Sequence, residues 1–140
     1  MTPTPLPDAA TRPDSPPWKR LLVLLTGLSF ILSSGAHGIL GWKMVHQALL
    51  DAGTPVDLVD TVRLGWHFGS AAMAAFGVIV LLEWSRMGGR SGLPRPGVVV
   101  AVTYVLFGAV ATVASGFSLH FVFLFALPGI ILYVGLLPRR

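Results

Sequence analysis

The sequence contains no cysteine in 140 residues. That excludes a disulfide framework, a thiol redox relay and a cysteine-ligated metal or iron–sulfur site. The four-helix thiol oxidoreductases are excluded as a class. Charge is also scarce: 11% of the residues are Asp, Glu, Lys or Arg, against about 25% in an ordinary soluble domain. No basic patch is interleaved with aromatics, so nucleic acid is not a supported partner. None of the six acids lies deep inside an apolar run. This argues against the small four-helix multidrug transporters, which need a membrane-embedded carboxylate. No nucleophile stands at a useful spacing from a base, and there is no phosphate-binding glycine loop or acidic metal motif. No catalytic constellation is present.

What is abundant is apolar surface, at 54% of the residues. A small soluble fold has too much surface to hide it, so the solvent for most of the chain is lipid. Residues 1–17 hold six prolines and no apolar periodicity. They are expected to form a disordered, cytoplasmic tail. Four apolar runs follow, 21–42, 64–84, 97–117 and 119–137. Each is about 20 residues long, enough at ~1.5 Å per residue to span roughly 30 Å. The alternation of a membrane strand is missing. The expected fold is an all-α integral membrane protein of four transmembrane helices. They form two antiparallel hairpins in an up-down-up-down bundle over 18–140, with helices near 18–52, 55–85, 97–116 and 119–137.

Cytoplasmic loops collect Lys and Arg. Eight of the ten cations (Arg12, Lys19, Arg20, Arg86, Arg90, Arg95, Arg139 and Arg140) fall on one side of this threading. Both termini are therefore expected in the cytoplasm, in a multi-pass cell-membrane protein of bacterial inner-membrane type. Tryptophan favours membrane interfaces. Trp18 and Trp84 mark the inner one, and Trp42 and Trp66 the outer. A competing reading takes Lys19–Arg20, the apolar run and Ser34-Gly35-Ala36 as a signal peptide with a cleavage site. The helix running on through "HGILGW" argues against it.

Local signals are readable. Gly53 suits the left-handed residue after a helix, Thr54 an N-cap, Pro55 the first helical position and Asp57 the first turn. Pro128 should kink the fourth helix and release the carbonyl of Leu124. Glu83, beside Trp84, reads as an interface residue paired with Lys19, Arg20 or Arg86. In lipid, small residues mark close helix contacts. Gly35, Gly38, Gly41, Gly65, Gly69, Gly108, Thr112 and Gly116 are the expected packing positions.

The four histidines, His37, His46, His67 and His120, all fall toward the outer side. His37 and His46 are nine residues apart, about 180° around a helix, so they cannot share a site on a straight helix. His37, His67 and His120 are the candidate set for haem or a transition metal. No paired ligand spacing supports that set, and interfacial or hydrogen-bonded histidines explain the pattern better. Three functions stay open, the first favoured by the small-residue faces and the lack of a catalytic constellation. One is a non-enzymatic component that packs with itself or a larger membrane complex. The second is a haem- or metal-binding membrane protein. The third is a small transporter or lipid-handling protein, which would need an internal cavity lined from Ser33, Ser34, Ser70, Thr103, Tyr104, Thr112 and Ser115.

Overall fold

The computed structural model describes residues 16–87 and 96–137. Most of the expected tail, and Arg12, Arg90, Arg95, Arg139 and Arg140, lie outside the described residues. Four helices are long and apolar enough to cross a membrane: α1 (Pro17–Asp51), α2 (Val56–Arg86), α3 (Pro96–Ala114) and α4 (Leu119–Leu136). Two of them change pitch. α1 passes through a π-turn at His37–Gly41 and α4 through another at Val122–Ala126.

The ends follow from local chemistry. Pro17 opens α1 with a ring already set to helical φ. At the far end Gly53 takes φ +66°, and the Thr54 N–H reaches back to the Leu49 carbonyl. This is the left-handed stop expected of that glycine. Pro55, not Thr54, occupies the N-cap of α2, without a side-chain cap. Its carbonyl accepts from the Leu58 and Val59 N–H groups, so α2 starts one residue later than its sequence suggests. The turn between α3 and α4 repeats the left-handed stop at Gly116, φ +70°, with the Phe117 N–H on the Thr112 carbonyl. Gly116 is thus a turn residue rather than a contact residue.

Each helix packs on two neighbours. α1 lies against α2 and α4, and α3 lies against the same two. The α2–α3 seam is the most sparsely packed of the four, and α1 meets only the Leu127–Leu136 half of α4. The core reflects this asymmetry. Val23, Phe30, Val80, Val100, Ala101, Tyr104, Leu132 and Leu136 are buried. These lie between the middle of the bundle and its basic end, where Lys19 donates to the Leu137 carbonyl at 2.8 Å, whereas Val59, near the start of α2, is buried apart from them.

Glycine makes that end close. A Cβ on Gly77 would stand 2.6 Å from Ile31 and 3.0 Å from the Gly27 carbonyl. One on Gly129 would stand 2.7 Å from the Ala101 carbonyl, and one on Gly108, a turn above Tyr104, would stand 2.6 Å from the Ala126 nitrogen. Gly35, Gly65 and Gly69 differ: open space lies where their Cβ would be. Glu83 differs from expectation too. It is 7% exposed and packs beside Gly97. The one ion pair among the described residues is Arg63–Asp60, at 3.1 Å.

Phe30 stacks on Tyr104, so these two residues are level. Trp42 and Gly116 each lie twelve residues further on, ~18 Å along their helices. Trp66 lies across Gly41. Trp42, Trp66 and the α3–α4 turn therefore share one level. Beyond it the α1–α2 hairpin continues alone for ~13 Å, carrying Lys43, Asp51, Asp57, Asp60 and Arg63.

Gly108→Ala should lower the thermal midpoint in detergent, by the equivalent of about 1–3 kcal/mol, because the new methyl meets backbone. Gly65→Ala, with space around it, should leave the midpoint unchanged or raise it. Equal effects would mean that the α3–α4 seam is not closed at Gly108.

Candidate functional site

The bundle opens between its middle and the level of Trp42 and Trp66. A cavity of about 220 Å³ lies there. α2 supplies Gly69, Ala72, Met73 and Phe76, which share one face at i, i+3, i+4 and i+7. α3 adds Thr103, Tyr104 and Phe107. Phe125 closes it from α4 and His37 from α1. The wall is almost wholly apolar.

Both π-turns border this cavity. His37 begins one and Phe125 lies in the other. Single π-turns inside α-helices recur at functional sites, because the extra residue per turn re-aims side chains. Their causes here differ. In α4, Pro128 has no N–H to give Leu124, and the helix answers in the turn before it: the Leu127 N–H reaches the Val122 carbonyl, five residues back. The expected break at Pro128 is thus a local change of pitch. In α1, the Trp42 N–H reaches the His37 carbonyl, also five residues back. That carbonyl accepts a second bond from the Trp66 indole N–H at 2.8 Å. The His37 ring stacks on the Trp66 ring, centroids 4.1 Å apart and planes 10° apart.

The glycines beside His37 explain how Trp66 fits. A Cβ on Gly41 would stand 2.9 Å from the Trp66 ring, and one on Gly38 would stand 3.2 Å from the Ser70 hydroxyl. Ser34 donates to the Ser70 carbonyl at 2.7 Å, which ties the same two helices one turn lower. His37 is therefore held on both backbone and ring, with its imidazole at the cavity edge.

Tyr104 sits at the other end of the cavity. Its ring lies 4.0 Å from Phe30, 6.0 Å from Phe76 and 5.9 Å from Phe125, one contact to each of the other helices. The side chain is 4% exposed. Its hydroxyl is the one buried side-chain polar atom without a hydrogen-bond partner among the described residues. Such a group costs about 1–3 kcal/mol.

The three candidate histidines do not all border the cavity, although His67 lies beside Gly38, next to His37. His37 lines the cavity, whereas His67 and His120 do not. His67 is exposed and lies tilted to Trp42 at 5.7 Å, and His120 is exposed against Phe121. His46 stacks on Trp42. Among the described residues no group of three His, Cys, Asp or Glu side chains is placed to hold a metal ion. Met73, Phe76, Phe107 and Phe125 were not singled out in the sequence. The one signal that could have found them is the face shared by Gly69, Ala72, Met73 and Phe76. No protein-family model, curated protein or solved structure matches the chain.

Tyr104→Phe removes only an oxygen without a partner. In delipidated protein it should raise the thermal midpoint by a few degrees. A fall would show that the hydroxyl has a protein partner.

Proposed function

We propose that this chain is a multi-pass membrane protein that takes up a small lipophilic molecule in the open half of its bundle. The observation that carries the reading is the apolar cavity bordered by His37 and Tyr104. Small-molecule sites in bundles are apolar clefts with a few placed polar groups. In lipid, helices gain little from hydrophobic burial and close on one another through packing. A gap lined from all four helices is therefore a feature to account for, unlike the second cleft of about 270 Å³, which is lined from α3 and α4. Of the readings open in the sequence, lipid handling is the one that calls for such a cavity. Of the polar set expected to line it, Thr103 and Tyr104 do, and Ser33, Ser34, Ser70, Thr112 and Ser115 do not.

The test uses Gly69, which lines the cavity and has room for a side chain. Gly69→Leu should fold like the wild type and lose the lipophile that native protein carries through purification, read by mass spectrometry of organic extracts. Identical extracts from the two proteins would end the reading.

Packing against a second copy or a larger membrane complex is the second reading. It is favoured by Gly35 and Gly65, where open space faces outward from a close-packing residue type. Strictly monomeric protein in native-lipid discs would remove it.

The same proposal places the end bearing Lys19, Arg20 and Arg86 at the cytoplasmic face of a bacterial-type inner membrane, with both termini inside. The cysteine-free chain suits the check. In intact cells, Ala52→Cys should react with an impermeant maleimide and Ser85→Cys should not. The reverse pattern would invert the threading.

A further inference from the structure

We infer that the molecule taken up in the cavity is a lipophile whose head is one flat ring bearing carbonyl groups at opposite edges, a benzoquinone in chemical class. The inference rests on the binding function proposed above and adds the identity of the head. Three observations carry it.

The first is size. An engineered apolar cavity of about 150 Å³ takes one benzene ring. This one, at about 220 Å³, is a cleft open on one side rather than a sealed cavity, so it has room for a single ring with its substituents and tail leading out. The second is the wall. Phe76, Phe107 and Phe125 present three aromatic rings, two of them in edge contact at 4.8 Å. Aromatic surfaces hold a flat ring by offset or edge-to-face contact. An acyl chain has no need of them.

The third is where the polar groups lie. Tyr104 stands at the middle of the bundle, level with Phe30, and His37 stands seven residues higher on α1, ~10 Å along the axis. A tyrosine hydroxyl donates, and a neutral imidazole carries one N–H donor. A benzoquinone carries an acceptor at each end of its ring. A lipid ester carries its carbonyl at one place on a flexible chain. The Tyr104 hydroxyl is sealed and without a partner among the described residues, so its side chain must turn toward the cavity before it donates to the ring carbonyl. No electron transfer is part of the inference, which concerns binding alone.

The experiment is a competition. Full-length protein in lipid discs receives 2-decyl-1,4-benzoquinone and decylbenzene at equal mole fractions, and native mass spectrometry reads the bound ratio. These probes share ring and tail and differ in the carbonyls. Wild type should favour the quinone about tenfold, as expected for one buried hydrogen bond. Tyr104→Phe should bring the ratio near one, and Gly69→Leu should bind neither. A wild-type ratio near one, or a ratio that Tyr104→Phe leaves unchanged, overturns the quinone assignment while leaving a lipophile site in place. Retention of a diacyl lipid against both probes overturns it in favour of an acyl chain. If neither probe nor lipid is retained, the binding function fails as well. Undiminished quinone binding in Gly69→Leu places the quinone elsewhere and overturns the assignment.

Discussion

The contact of Tyr104 with three phenylalanines is the constraint on which the rest of the structure depends. Phe30, Phe76 and Phe125 come from the three other helices, and one ring on α3 touches all of them. Below this level, glycines draw the helices together, as at Gly77 against the Gly27 carbonyl and Gly129 against the Ala101 carbonyl. Above it, four aromatic side chains hold the helices at ring width. The cavity is thus the continuation of a core that changes from glycine-spaced to aromatic-spaced packing. A tyrosine at the change is notable because its hydroxyl adds nothing to that spacing. Phenylalanine would hold the same rings without a buried polar atom.

The irregular backbone belongs to the same design. Each π-turn borders the cavity and each has a partner that tolerates it. At His37, the carbonyl carries two donors, one from its own helix and one from Trp66. A carbonyl has two lone pairs, so this is full satisfaction rather than strain. In a bilayer that matters, because no water is at hand to take up a stray bond. At Val122–Ala126, the change of pitch spreads the effect of Pro128 over a turn and leaves Phe125 facing α3.

The legible parts of the fold were those set by local chemistry. Four apolar runs gave four helices, and Gly53 gave the left-handed stop expected of it. The α1–α2 hairpin extends beyond the α3–α4 turn, as its charges imply. The cavity was less legible, for a physical reason. A small residue on a helix face either admits a neighbour or leaves a gap, and the sequence is the same in both cases. Gly41 admits Trp66, whereas Gly69 borders the cavity. Only the neighbouring helix decides between them, and its rotation depends on contacts far along the chain. His37, His67 and His120 show the same limit. They lie near one level, but level is set by counting residues and direction is not. Glu83 looked interfacial because Lys19 and Arg20 stand at the same end, yet Lys19 donates to the Leu137 carbonyl and Glu83 packs beside Gly97.

The position of Trp66 connects these features. Its indole bonds the π-turn of α1, its ring carries the His37 imidazole, and Gly41 exists at the width its ring requires. Tryptophan at this level also suits a membrane interface, where an apolar ring meets a polar edge. One residue therefore serves the depth of the bundle, the pitch of α1 and the placement of His37 at the cavity edge. Moving it would disturb all three together. The cavity end nearest the interface is in this way built on the same side chain that fixes how deep the cavity lies. A lipophile with a polar head meets the bilayer at that depth, since its head seeks the interface and its tail the hydrocarbon. On the proposed reading, His37 at this depth is the polar group such a head would meet first, and Tyr104 the one it would meet last.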